Sequence, residues 1–397
     1  KSLVLGRIAG ALKAAGKNVA LCAPTGSAAA MIGGSTVHRL FGFTGAACIN
    51  EKTLTIKVSA GKMIRCLDVL IIDEISMCRM DLFDAVSASL RRASDKTGRK
   101  IQLIVSGDFC QLPPVLTESG GDRSLLERFY NRKVGRAYAF QADSWESTGF
   151  ETVILDRVMR QGDTFMTDSL NSIRLGRIPD LGLMQKRSSS VPVADAPWLF
   201  PYNRQAEAMN SRQLASLQGR TYSFRALTSG RVAEAEGDKQ GLVIKEGARV
   251  MLTANEHDPP SGYGEGYHNG SMGTIRRIRD PEGNASVTVR LDTGRDVCLY
   301  RRTYAVYKYV VTADDRIEKV CEGSYSQFPL KVAYALTIHK GQGQTYDKVN
   351  IDPRCSNPGQ LYVALSRVKD IGSMYLMGKI LPEYIVTDPA VKVFYEK

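Results

Sequence analysis

Apolar runs alternate with helically spaced segments along the first part of the chain. Asn18 to Ala23 reads as a strand, and Thr25 to Met31 as the start of the helix that follows it. Val69 to Ile72 is a second strand, Met80 to Ala93 repeats with helical spacing, and Ile101 to Val105 is a third strand. Thr152 to Leu155 is expected to close this first unit with a further strand. Strands separated by helices predict a parallel sheet covered by helices. The alternation returns with a helix over Asn203 to Leu217, strands over Lys331 to Ile338 and Val349 to Asp352, and a helix over Gln360 to Val368. From about Gly247 to Glu322 the texture changes. Short alternating runs such as Ser286 to Leu291 are punctuated by the turn pairs Asn269-Gly270, Glu282-Gly283 and Thr293-Gly294. This predicts a small β-barrel inserted into the second of two α/β lobes.

Composition narrows the class. A length of 397 residues predicts two to four domains, at ~150 residues per domain. With 43% hydrophobic residues the chain can bury large cores. No run reaches the ~18 to 20 apolar residues of a membrane span. No secretory leader is visible, in a sequence whose first residue is Lys1. The net charge of +12 fits a polyanion partner, because neutralised phosphates release counterions, and it fits a merely basic enzyme equally well. The cysteines (Cys22, Cys48, Cys66, Cys78, Cys110, Cys298, Cys321 and Cys355) form no CxxC pair, and no histidine stands at ligand spacing from one. Reduced thiols of a cytosolic or nuclear protein are expected, without a zinc site.

Three strings carry candidate chemistry. Lys1-Ser2 opens a helical pattern, as the last two residues of a phosphate-binding loop do, where lysine reaches the outer phosphates and the hydroxyl binds Mg²⁺. The loop's glycines do not precede Lys1 in this sequence, so a partial sequence or a trimmed chain is expected, and a polypeptide starting there should bind ATP poorly. VLIIDE, residues 69 to 74, is a strand running into an acidic pair. Asp73 could hold the Mg²⁺ shell and Glu74 could polarise an attacking water, or the pair could be an exposed strand end. In GDFCQLPPV, residues 107 to 115, Gln111 could bond a γ-phosphate or its water, or the string could be an ordinary proline-ended turn.

APTGSAAAMIGGSTVHRLFGF (23 to 43), DEISM (73 to 77), GDFCQLPPV (107 to 115), ALTIHKGQGQTYDKVNID (335 to 352) and GQLYVALSRV (359 to 368) stand in the order found in Pif-type helicases. These belong to the 5′→3′ branch of helicase superfamily one and are related to RecD. The resemblance spans almost the whole chain. It implies two RecA-like lobes: a first over 1–157 with a short accessory insert at about 43–66, and a second over 158–246 and 324–397. Residues 247–323 would form the inserted Src-homology-like barrel.

The resemblance also implies roles. Lys1, Ser2, Asp73, Glu74 and Gln111 would form the first lobe's share of a Mg²⁺–ATP site, with Ser2 and Asp73 toward the metal. Arg160 in LDRVMRQ and Arg367 in ALSRV would bring guanidinium groups to the γ-phosphate, which Gly343 would approach through its backbone. Thr25, Gly26, His38, Thr337, His339 and Lys340 would line the path of single-stranded DNA. Phe41, Phe43, Tyr263 and Tyr267 are stacking candidates by location only. Gly341 replaces a serine common in the family. The implied protein is an ATP-dependent DNA helicase of genome maintenance (replication, repair, recombination, telomeres). It would act as a monomeric motor on single-stranded and forked or structured DNA, away from membranes. A nuclear or mitochondrial location is expected in a eukaryote and a cytoplasmic one in a bacterium. The alternative is a DNA-binding remnant without ATPase activity.

Overall fold

The computed structural model describes all residues except 44–57, 117–121, 156–163, 189–190, 195, 231–240, 255, 257–266, 268, 281–284, 313, 315 and 397. The chain divides into two compact units. One comprises Lys1–Arg157, Tyr307–Glu322 and Pro389–Lys397, and the other Val158–Val306 and Gly323–Asp388.

The first unit holds a four-stranded parallel sheet in the order Ser35–Thr36, Val19–Ala23, Val69–Ile72, Gln102–Val105. Both central strands are buried along their whole length, as continuous apolar runs flanked by helices should be. Leu5 and Ala9 of helix Ser2–Ala14 pack on Val19, Leu21, Val69 and Ile71. Helix Met80–Thr97 buries Phe83, Val86 and Leu90, one stripe at spacings of three and four, and ends on Gly98 at a φ of 68°.

Two expectations for this unit need correction. Thr152 to Leu155 is not a strand, and Val153 and Ile154 are 80% and 77% exposed. A β-branched run becomes a strand only where an open edge receives its N–H and C=O groups, and among the described residues no ladder reaches it. The C-terminal segment, expected in the second lobe, joins the first. Helix Pro389–Glu396 places the Phe394 ring 4.6 Å from Phe140 and 5.0 Å from Phe109. The accessory insert lies mostly outside the described residues, and its end is the helix Val58–Cys66, packed on Met80–Thr97.

The second unit contains another four-stranded parallel sheet, ordered Ala335–Thr337, Trp198–Phe200, Val349–Ile351, Met374–Leu376. Beside it lie antiparallel strands. Five of them run in the order Asp296–Leu299, Ser286–Leu291, Met272–Arg279, Arg249–Leu252, Leu330–Val332. The pair Tyr222–Phe224 and Leu242–Ile244 shares their core, which includes Phe224, Ile244, Val250, Ile275, Val289 and Phe328. The antiparallel region therefore begins before residue 247 and ends after 323. The single strand expected over Lys331 to Ile338 is two: Leu330–Val332 pairs antiparallel with Arg249–Leu252, and Ala335–Thr337 pairs parallel with Trp198–Phe200.

Candidate functional site

Several of the chemistry-bearing residues, among them Thr25, Asp73, Glu74, His339 and Lys340, follow the carboxyl ends of parallel strands, where open α/β sheets bind ligands. Val69–Ile72 delivers Asp73, which is 2% exposed, and then Glu74. Asp73 Oδ1 accepts the Glu74 N–H at 2.9 Å, and Glu74 adopts a left-handed φ of 52°. That backbone costs a non-glycine residue about 1 to 3 kcal/mol, and such strain gathers at functional sites. Lys1 caps helix Ser2–Ala14, so Ser2 is the first helical residue, and Lys1 Nζ lies 3.6 Å from Glu74 Oε1. An ammonium beside a helix N-terminus is disfavoured by the helix dipole unless an anion shares the place. The buried Asp73 carboxylate fits a metal ion: it is a hard oxygen ligand, and Mg²⁺ takes few protein ligands because phosphates supply the rest. Among the described residues no cluster of three or more His, Cys, Asp or Glu forms an all-protein metal cage.

The GDFCQ loop is pressed against this turn. A Cβ on Gly107 would lie 2.7 Å from Ile75 Cγ2 and 3.0 Å from its nitrogen, so only glycine permits the approach. The Ile75 N–H bonds Ser106 O at 2.9 Å. Gln111 is half-buried, and its N–H bonds Asp108 O at 3.0 Å in a tight turn.

Thr25 accepts the Ala28 N–H on its hydroxyl at 3.3 Å and the Ala29 N–H on its carbonyl at 2.9 Å, opening helix Gly26–Met31 with Gly26 exposed. His38 stands on helix Val37–Phe41, half-buried. Burial, then the positive charge of Arg79, hold its imidazole below the usual range, against a smaller upward pull from Asp81. Arg79 grips the fully buried Asp81 through two bonds of 2.6 and 2.8 Å. Phe41 and Phe43 stack on each other at 5.2 Å and are buried, so they are core and not base platforms; Tyr267 is also buried.

In the second unit, Arg367 is 3% exposed. Its Nε donates to Val363 O at 2.8 Å and its Nη2 to the Ser366 hydroxyl at 2.7 Å, at the C-terminal end of helix Gln360–Leu365. The helix dipole favours a cation there. Thr337 is buried and its hydroxyl accepts the Lys340 N–H at 3.2 Å, so its side chain shapes the loop that presents His339 and Lys340. His339 is half-buried and burial lowers its pKa, whereas Lys340 is exposed. Gly343 is exposed with a φ of 82°. Arg160 and Tyr263 lie outside the described residues.

Sequence reasoning missed two residues beside these groups. Lys331 is half-buried, and burial together with the charge of Lys340 pushes its ammonium down to about 8. Tyr395 bonds the GDFCQ loop from the C-terminal helix, with the Phe109 N–H 3.1 Å from its hydroxyl. The charge-bearing string PLKVAYALTIHK could have drawn attention to Lys331, but nothing local marks Tyr395.

The profile of the PIF1-like helicase family matches residues 1–178. The ATP-dependent DNA helicase Pif1 of Bdellovibrio bacteriovorus is 32% identical over 96% of this chain and 82% of its own length. The ATP-dependent DNA helicase PIF1 of Xenopus laevis is 33% identical over 100% of this chain, which spans 60% of that protein. Among solved structures, Bacteroides sp Pif1 in complex with ADP-AlF4 superposes with a TM-score of 0.84 at 30% identity, covering 100% of this chain and 90% of that one. Bacteroides Pif1 bound to ssDNA gives a TM-score of 0.67 at 31% identity, again over 100% of this chain and 90% of its counterpart. From its motif strings, its parallel-sheet units and relatives alike over nearly its whole length, the chain belongs to the PIF1-like helicase family.

Proposed function

We propose that this chain is the motor of an ATP-dependent 5′→3′ DNA helicase that translocates on single-stranded DNA and opens duplex or structured DNA. The observation that carries the reading is the Lys1–Glu74 pair, 3.6 Å apart beside the buried Asp73. A γ-phosphate seated there meets an ammonium that neutralises it and a carboxylate able to take a proton from the attacking water. Ser2 and Asp73 would hold Mg²⁺, which would neutralise phosphate charge, and Gln111 would orient the water or the phosphate. Arg367, leaving the Ser366 hydroxyl, and Arg160 supply guanidinium groups to the charge that develops, and the Gly343 backbone meets the same phosphate.

Thr25 and Gly26 offer backbone N–H groups to a strand phosphate. Lys340 adds a charge, while the neutral imidazoles of His38 and His339 add hydrogen bonds. Residues 1–157 with the helix Pro389–Glu396 make the first RecA-like lobe. The second lobe is interrupted by a Src-homology-like β insert, whose strands run from Tyr222 to Val332. The protein works as a monomer in replication, repair, recombination or telomere upkeep, in the compartment that holds the DNA: cytoplasm in a bacterium, nucleus or mitochondrion in a eukaryote. No helix among the described residues is long and apolar enough to cross a membrane.

The test is ATP turnover with and without single-stranded DNA, in a polypeptide carrying a glycine-rich phosphate loop ahead of Lys1. Strand-stimulated hydrolysis that Glu74→Gln abolishes, with DNA affinity nearly intact, is the expected result. Strand binding without any turnover in the parent would replace the motor with a DNA-binding scaffold. Loss of DNA binding together with turnover in the variant would remove Glu74 from its assigned role.

A further inference from the structure

The GDFCQ loop is held by an element that arrives from the far end of the sequence. Helix Pro389–Glu396 follows the last residues of the second unit, yet belongs to the first. Its Phe394 ring stacks on Phe140 at 4.6 Å with 26° between planes, and meets the edges of Phe109 and Trp145 at 5.0 and 6.1 Å. Phe109 is 5% exposed and is also edge-on to Phe140 at 4.8 Å. The aromatic ring in the middle of the loop is thus a buried anchor.

The neighbouring residue completes the attachment with polar bonds. The Tyr395 hydroxyl accepts the Phe109 N–H at 3.1 Å and donates toward Asp108 Oδ1 at 3.5 Å. The same Asp108 Oδ1 accepts the Cys110 N–H at 3.1 Å, and the Asp108 carbonyl accepts the Gln111 N–H at 3.0 Å. A continuous path of hydrogen bonds therefore runs from the Tyr395 hydroxyl through Asp108 into the turn that aims Gln111. On the opposite side, Gly107 seats the loop against Ile75, one residue after Glu74.

We infer that Tyr395 is a positioning residue for Gln111: its hydroxyl sets the Asp108–Gln111 turn and so fixes the amide against the γ-phosphate or its water. This rests on the reading of Gln111 as a residue of the ATP site. Loop placement matters to the chemical step far more than to stability, because an amide displaced by a fraction of an ångström no longer meets the charge forming in phosphoryl transfer. Tyr395 is 38% exposed, at the rim of the cluster, so the hydroxyl can be removed without opening the aromatic core.

Tyr395→Phe tests it, in the polypeptide carrying a glycine-rich phosphate loop ahead of Lys1, with strand-stimulated ATP turnover, single-strand affinity and thermal midpoint measured together. The expected result is a kcat lowered about tenfold, the scale of a mispositioned reacting group, with KM for ATP, strand affinity and midpoint close to the parent. In a Gln111→Ala background the same substitution should lower kcat no further, since the group it positions has gone. An unchanged kcat in Tyr395→Phe, while Gln111→Ala alone is slow, overturns the inference and leaves the Gln111 reading standing. So does an equal further loss in both backgrounds, which would mark Tyr395 as merely structural. A normal kcat in Gln111→Ala removes that reading and this one together.

Discussion

Lys331 lies in the middle of strand Leu330–Val332, opposite Met251, with the charge of Lys340 facing it. Burial is the larger cause and the Lys340 charge the smaller in bringing its ammonium down to about 8. The unfolded chain, with the ordinary lysine value of 10.5, then binds more protons between pH 8 and 10.5, so folding stability rises with pH across that window. Lys331 lies close in sequence to His339 and Lys340, the residues proposed to meet the strand; a phosphate beside it would favour its charged form, so single-strand affinity is predicted to fall as pH climbs above about 8. Lys331→Arg stays charged throughout and should flatten this fall while keeping the affinity seen at pH 7. Fluorescence anisotropy with a labelled single strand, from neutral to alkaline pH, measures it; parallel profiles for parent and variant would separate Lys331 from the strand. Gly107 makes a second prediction at this scale. Gly107→Ala forces a Cβ to within 2.7 Å of Ile75 Cγ2, an overpacking that costs about 1 to 3 kcal/mol. Turnover should fall with little change in strand affinity, and denaturant midpoints read alongside kcat would show whether both effects occur.

Phe394 decides whether helix Pro389–Glu396 stays on the first unit, because its ring bridges Phe109, Phe140 and Trp145. Phe394→Ala should destabilise that unit by about 3 kcal/mol, the low end for losing a phenylalanine from a core, since this ring is only half-buried. Protease cleavage near residue 388 should become faster in the variant; equal resistance would mean that the helix is held by other contacts. Sequence alone could not place this helix. Its partners lie more than two hundred residues upstream, and no local pattern encodes which surface an amphipathic helix covers. The same limit explains the run from Leu330 to Ile338. Its apolar middle, Val332 to Leu336, carries no period to reveal that Val332 ends a strand in one sheet and Ala335 begins a strand in another. Val153 to Leu155 misleads in the opposite sense, having strand composition and no strand partner among the described residues. Where a buried run ends abruptly in charge, as Ile72 does before Asp73, the strand and its end were readable. The motif strings likewise marked Glu74 and Gln111, while the tightness of their approach at Gly107 needed three-dimensional distances.

The net charge of +12 fits a polyanion partner but does not say which cations would meet the strand. The titration behaviour of the candidate residues separates them. Lys340 is exposed, whereas burial lowers the pKa of both His38 and His339, so near neutral pH these imidazoles would meet a phosphate as neutral hydrogen-bonding groups. Only a cation displaces condensed counterions, and each phosphate neutralised on a single strand contributes about 0.7 to the slope of log affinity against log salt. Lys340→Ala should therefore lower affinity and shrink that slope by about 0.7. His38→Gln and His339→Gln should lower affinity at every salt concentration and leave the slope where it was. Once the pH drops below their lowered pKa the two classes should converge, because protonation then gives each histidine a counterion to release. A salt titration of single-strand binding at pH 7.5 on the three variants decides the matter. A slope change in either histidine variant at that pH would mean that burial does not keep its imidazole neutral on DNA. A flat dependence in the parent chain would remove the phosphate-dominated interface altogether.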